Sequence, residues 1–302
     1  MAEIIPFDKR EGQLWFDGRM IPWGDAKIHV LTHGLHYASC VFEGERMYSG
    51  RIYKLAEHTA RLFESARILG MTIPYTEDEI SAACLEACKV QGIVDGYIRP
   101  VVWRGSEMMA VSAQHTKIHV AIAAWQWPSY FHPEEKLKGI RLDVSDWKRP
   151  APDTAPTAAK ASGLYMICTM SKHAAEAKGY SDAMMWDYRG YVAEATGANI
   201  FFVRDDKLFT PIPDCFLNGI TRKSVIELAK ARQIPVTEKH IEKSELDGFS
   251  ECFIVGSAAE VTPVSEIGPW KFKPGEITKT LMNDYHEDVQ RPVSVVKLAK
   301  AG

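Results

Sequence analysis

Hydrophobic periodicity along this chain switches repeatedly between the two-residue alternation of strands and the 3.6-residue spacing of helices, and one stretch carries neither. That stretch, WPSYFHPEEKL from Trp127 to Leu137, holds two prolines and no repeating apolar face, as a linker does. It predicts two domains, residues 1–127 and 138–302, joined by 128–137. In the first, QLWF and RMIPW flank Asp17-Gly18, a pair suited to the positive φ angles of a tight hairpin turn. CVFEGERMY and RIYKL read as strands around Ser49-Gly50, with YIRPVVW and KIHVAIAAW as two more. Leu55, Leu62, Phe63, Ala66 and Leu69 share one face of a helix stopped by Gly70. Thr76 and Glu79 make a capping box for a second helix that ends near Gly92. Beyond the linker, GIRLDVSDW, AMMWD, YVAEA, NIFFV, KLFTP, PVTEKHI and ECFIVG read as strands. Helices are expected from about Tyr165 to Lys178, over TRKSVIELAKARQ and over GEITKTLMNDYHEDV. The expected class is α/β (α+β): a small first domain and a larger second one, with mixed sheets.

The 302 residues suffice for two such cores, and 46% hydrophobic against 25% charged residues excludes a disordered chain. A net charge of -3 gives no drive toward nucleic acid or anionic lipid. No stretch reaches the ~20 apolar residues of a membrane span. The opening residues MAEIIPFDKREGQLWF lack the apolar core of a signal peptide. With six cysteines scattered through the chain, reduced thiols and a cytoplasmic location are expected. Cys84 and Cys88, one helical turn apart, are expected to pack as small apolar groups. His29, His33 and His36 lack the glutamate of a helical zinc motif, and Gly34 disfavours a helix there, so no metal site is expected.

Five separated features carry chemistry. In PTAAKASGLY, Lys160 stands among residues too small to cover it, which suits either a solvated lysine or close approach of a bulky partner. Glu194 lies inside the apolar run GYVAEATGANIFFV, where it is either an edge residue facing water or a paired, buried carboxylate. Asn218, Gly219, Ile220 and Thr221 lead into a helix, making either a plain cap or an anion site built from free N–H groups. Gly256, Ser257 and Ala258 form a small-residue turn after a strand. Arg61, beside Leu62 and Phe63, is open to a solvated or a buried role. A lysine, a carboxylate, an arginine and two turns rich in N–H groups are together what pyridoxal phosphate requires.

PTAAKASGLY, GYVAEATGANIF, LNGITR and GSAAEVTPV resemble, in order and spacing, the class IV aminotransferases of pyridoxal-phosphate fold type IV. HGLHYASCVFEGER and YIRP make the chain similar to the branched-chain amino-acid aminotransferases, from about Trp15 to the final helix. The resemblance implies that Lys160 is the Schiff-base lysine, that Tyr165 bonds the cofactor's phenolic oxygen, and that Glu194 pairs with its ring nitrogen. It implies that Arg61, Ile220, Thr221 and Ser257 hold the phosphate and that Leu217 packs on the ring. The second domain, 138–302, is then the cofactor-binding one.

For the substrate, periodicity puts Phe42, Gly44 and Arg46 on one strand face, Glu43 and Glu45 on the other, and Tyr97 with Arg99 on a shared face. The resemblance implies that Phe42, Gly44, Tyr37, Tyr97, Arg99, Trp127 and Tyr130 line the substrate pocket. The α-carboxylate is expected at the backbone of Ser257 and Ala258. It further implies ping-pong exchange between leucine, isoleucine or valine and 2-oxoglutarate. A homodimer is implied too, whose partner subunit closes the pocket with the loop RGSEMMAV at 104–111. Two features depart from the family pattern: Glu45 replaces an aliphatic residue, and that loop, with Glu107 and Met108, is less glycine-rich. Competing expectations are an amine transaminase, a D-amino-acid aminotransferase, an aminodeoxychorismate lyase of the same fold, and a silent pyridoxal-phosphate-binding scaffold. YIRP argues against the first two, and the presence of both Lys160 and Glu194 argues against the last.

Overall fold

The structure, a computed structural model, describes residues 5–127 and 138–291; the expected linker at 128–137 lies outside the described residues. The described residues form two sheets with helices packed on them. The first sheet is antiparallel throughout. Strands β1 (Gln13–Phe16) and β2 (Arg19–Pro22) form the hairpin read at Asp17-Gly18, both of which have positive φ. Then come β3 (Cys40–Phe42), β4 (Glu45–Tyr48), β5 (Arg51–Ile52), β6 (Gly96–Arg104) and β7 (Ile118–Gln126), in the order β2-β1-β7-β6-β4-β5 with β3 also on β6.

The run CVFEGERMY, expected as one strand, is interrupted at Glu43 and Gly44, although its register on β6 continues from Phe42↔Val101 to Glu45↔Ile98. The cause lies opposite. Glu43 donates its N–H to the Pro100 carbonyl at 2.9 Å, but a proline has no N–H to return.

Short helix α1 (His33–Tyr37) forms in spite of Gly34, because the His33 N–H bonds the Gly105 carbonyl and its ring bonds the Ala110 carbonyl. His36 and His29 are likewise taken up by neighbouring backbone groups. Helices α2 (Leu55–Ile68) and α3 (Glu77–Val90) cover one face of the sheet, α3 entered through the Thr76–Glu79 capping box. Leu62, Ala66, Ile80, Cys84 and Cys88 are buried there with Val41 and Ile98.

The second sheet is mixed. Its strands are β8 (Ile140–Val144), β9 (Asp182–Trp186), β10 (Val192–Ala195), β11 (Asn199–Arg204), β12 (Lys207–Pro211), β13 (Val236–Lys239), β14 (Glu251–Gly256), β15 (Glu260–Ile267) and β16 (Trp270–Lys271). They run in the order β10-β9-β8-β15-β14-β11-β12-β13, with β16 on β15. Helix α4 (Met166–Ala177) makes the parallel crossover from β8 to β9. Helices α5 (Ile220–Ala231) and α6 (Glu276–Gln290) pack on one face with Phe201, Phe253 and Val255, while Ile200, Phe202 and Phe249 fill the other. Strand β15 was not legible, because Pro263 sits in its middle. It is tolerated where β8 has not yet begun to pair, since that pairing starts at Val264.

The two sheets meet at residues 159–165. Ala161 bridges Val41 of β3, the Lys160 carbonyl accepts from the Phe42 N–H at 3.1 Å, and the Lys160 N–H donates to Ser65 Oγ of α2 at 3.0 Å. The small residues around Lys160 thus serve two surfaces. Ala159 lines the pocket described below, and Ala161 is 3% exposed within the first core.

Candidate active site

Pinned by its backbone to β3 and α2, Lys160 sends its side chain toward the second sheet. Its Nζ donates to Tyr165 Oη at 2.8 Å. Burial and the nearby Arg61 charge, opposed by Glu43, lower the Lys160 pKa to about 8. The amine is therefore partly neutral near neutrality. Glu194 of β10 lines the same pocket, 8% exposed. Burial lifts its pKa to about 7 against the opposing charges of Arg149 and Lys160. Arg149 Nε lies 3.4 Å from Glu194 Oε1, and Asn199 Nδ2 donates to Oε2 at 3.2 Å. Of the two readings open from the sequence, the buried, partnered carboxylate is the one found.

The other end of the pocket is built to take an anion. Helix α5 starts at Ile220 with Gly219 as its N-cap and no side-chain cap, which leaves the first N–H groups without an intrahelical acceptor. Ile220 and Thr221 line the pocket, with Ser257 and Ala258 of the β14–β15 turn opposite and Leu217 along the wall. Gly219 is required here, because a Cβ would run into the Asn199 amide oxygen that accepts the Gly219 N–H. Arg61 of α2 also lines this pocket, with its guanidinium held by Glu43. A free amine, a hydroxyl beside it, a buried acid and an uncapped helix start therefore share one cavity. These groups fit pyridoxal phosphate: amine toward the aldehyde, acid toward the ring nitrogen, helix start toward the phosphate.

The sequence pattern of the family described as Amino-transferase class IV matches residues 40–267. The chain belongs to the class IV aminotransferases. Among curated relatives, a probable branched-chain-amino-acid aminotransferase of Rickettsia conorii is 45% identical over 254 residues, spanning 84% of this chain and 86% of the relative. Among solved structures, the branched-chain aminotransferase of Thermoproteus uzoniensis with norvaline superposes with a TM-score of 0.89 at 37% identity, over 93% of this chain and 95% of that one. The branched-chain amino acid aminotransferase of Thermobaculum terrenum in its PLP form gives 0.84 at 30% identity, over 93% and 94%.

Beside this cavity, Phe42, Tyr97, Arg99 and Trp127 form a second lobe with Lys160, Tyr165 and Ala258. Arg99 Nη2 donates to Tyr97 Oη at 3.0 Å, and its guanidinium lies 4.5 Å over the Phe42 ring. Among the described residues, no carboxylate pairs with Arg99. Trp127 and Tyr97 rings are 5.3 Å apart. Gly44 is needed beside them, since a Cβ there would collide with the Tyr97 hydroxyl.

Tyr37 is not brought to this pocket. It is 46% exposed on α1 and stacks on His33, because α1 is tied outward to the 104–111 loop. Tyr130 lies outside the described residues. The sequence reading also missed three residues that shape the site. Arg149 comes from a proline-rich stretch with no signal of its own. Asn199 lies five residues past Glu194 in the quoted run and bonds Glu194, Gly219 and the Leu217 carbonyl at once. Glu43 was placed on the face away from the pocket, yet it reaches the pocket through Arg61.

Proposed function

We propose that this chain is a pyridoxal-phosphate-dependent aminotransferase that moves the amino group between branched-chain L-amino acids and 2-oxoglutarate by a ping-pong route. The observation that carries the reading is the Lys160–Tyr165 hydrogen bond in one cavity with buried Glu194. Pyridoxal phosphate, when bound, supplies an electron sink that acidifies the substrate's α-proton and carries the amino group.

The chain's own residues do the rest. Lys160, kept weakly basic by burial, takes the proton from the substrate's Cα and would hand it on to the cofactor carbon that takes up the amino group. Tyr165 accepts the amine's hydrogen bond and fixes its direction. Glu194, steadied by Arg149 and Asn199, holds a proton at the ring nitrogen. The uncapped start of α5 and Arg61 bind the phosphate dianion. Phe42, Tyr97 and Trp127 receive an apolar side chain and exclude water. Arg99, whose guanidinium is bonded only to the Tyr97 hydroxyl among the described residues, receives the distal carboxylate of the acceptor. Ser257 and Ala258 offer backbone N–H groups to the α-carboxylate.

We infer a homodimer acting in the cytoplasm. Val30, Leu35 and Val111 are 66%, 63% and 84% exposed, and the bond from His33 to the Ala110 carbonyl ties together the two segments that carry them. Under this reading, a second copy covers that surface and its Tyr37 and 104–111 loop complete the pocket, as the resemblance implies. No helix among the described residues is long and apolar enough to cross a membrane.

The test is to follow each half-reaction separately in a stopped-flow spectrometer. Leucine should convert the bound cofactor to its amine form, and 2-oxoglutarate should restore it. Arg99→Ala should slow the 2-oxoglutarate half-reaction by at least about tenfold more than the leucine one, as loss of a charge-assisted contact implies. Equal losses would remove Arg99 from acceptor selection. Absence of any conversion with leucine, valine or isoleucine would overturn the substrate class.

A further inference from the structure

Arg61 faces the phosphate end of the pocket, but its charge is already engaged. Glu43, with 0% exposure, accepts from Arg61 Nε at 2.6 Å and from Nη2 at 2.8 Å, a two-bond fork. His58, one turn earlier on α2, donates its Nδ1–H to Glu43 Oε2 at 2.7 Å, and the Gly44 N–H adds a fourth contact at 3.3 Å. The ring nitrogen must be the donor, since an ionised carboxylate only accepts. Burial raises the Glu43 pKa, but Arg61 and His58 together outweigh it and hold the carboxyl well below the usual range. Two residues on, the Glu45 pKa is pushed the other way, by burial first and then by the Glu43 charge.

Burying a carboxylate with a guanidinium is costly, and apolar residues often pack as stably. What such a pair supplies is a fixed direction. We propose that Glu43 is a positioning residue of the phosphate site, clamping the Nε–Nη2 edge of Arg61 so that the Nη1 side of the fork is presented to the cofactor's phosphate. Two of the five guanidinium N–H groups are consumed by Glu43, and no other partner holds Arg61 among the described residues. The opposite charge beside it also limits how much Arg61 attracts an anion through charge alone, so its contribution depends on aim. Glu43 can do this because the strand is broken at its own position: opposite Pro100 the chain leaves β3, and the glutamate side chain turns under α2 while Gly44 borders the pocket.

The inference rests on the reading of this cavity as a pyridoxal-phosphate site, and the test separates the two. Cofactor-free wild type, Glu43→Gln, Arg61→Ala and the double variant are titrated by tryptophan fluorescence with pyridoxal phosphate and with pyridoxal, which lacks the phosphate. Glu43→Gln should weaken pyridoxal phosphate by about tenfold or more, the scale of one charge-assisted hydrogen bond, and leave pyridoxal unchanged. In the Arg61→Ala background, Glu43→Gln should add less than about twofold. Equal losses for both ligands, or a full additional loss in the double variant, would make Glu43 merely structural. An Arg61→Ala loss without a Glu43→Gln loss would overturn the proposal and leave the phosphate reading standing. Unchanged affinity in Arg61→Ala would overturn that reading itself. Should Glu43→Gln fail to fold, Glu43→Asp keeps the charge but shortens the fork, and the same phosphate-selective loss is expected.

Discussion

Lys160 and Glu194 share a cavity and are displaced toward each other in acidity, one down to about 8 and the other up to about 7, both chiefly by burial. Capture of pyridoxal phosphate needs the neutral amine. A lowered lysine pKa leaves that form abundant above about 8 and depletes it as the pH falls. The capture rate of the cofactor-free enzyme should therefore drop about tenfold per pH unit below 8. Rapid mixing from pH 6 to 9 checks this, and a flat profile below 8 would contradict the assignment of Lys160. Glu194→Gln should retain the cofactor but slow single-turnover proton transfer. A charge-assisted hydrogen bond felt in the transition state is worth roughly 1.5–3 kcal/mol, about one to two decades. Unchanged kinetics would remove Glu194 from its place at the ring nitrogen. Both residues were legible as oddities of local composition. Arg149 was not, since nothing in KRPAPDT distinguishes it from a surface arginine.

At the scale of elements, start and stop signals were the readable part. The box at Thr76 is closed as expected, with Glu79 N–H donating to Thr76 Oγ1 at 3.2 Å and Thr76 N–H to Glu79 Oε2 at 2.7 Å. Thr76→Ala should cost about 1 kcal/mol of stability in urea unfolding without changing turnover, because α3 packs behind the sheet and away from the pocket. A loss of activity with unchanged stability would contradict that separation. The elements misread were those whose local rule is overridden by a distant partner. Gly34 did not prevent α1, which hangs from Gly105 and Ala110. Pro263 did not exclude β15, and Pro100 broke a strand 57 residues away in sequence, at Glu43. Two of these exceptions bear on the pocket: β15 follows the Ser257–Ala258 turn that lines it, and the break at Glu43 directs its carboxylate to Arg61.

For the molecule as a whole, the exposed apolar residues around α1 and the 104–111 loop are unfavourable in a lone copy. Light scattering should give a dimer, and Leu35→Glu, which places a charge on that surface, should shift it toward monomers with a fall in kcat. A monomer of full activity would refute the shared pocket. Composition gave no hint of this surface, because single apolar residues on a chain look the same whether a core or a second copy covers them.

The sequence by itself determined the class of fold, most of the strands and helices, and several of the groups that come to line one cavity, because periodicity, turn chemistry and the motifs around Lys160 and Glu194 are local. Only the tertiary structure decided what each charge is paired with. Glu194 meets Arg149 across 45 residues and Arg61 meets Glu43 across the β3–α2 packing, distances over which sequence spacing says nothing about contact. A buried charge is set by the partner that desolvation forces on it, and that partner is chosen by how the two sheets close on residues 159–165.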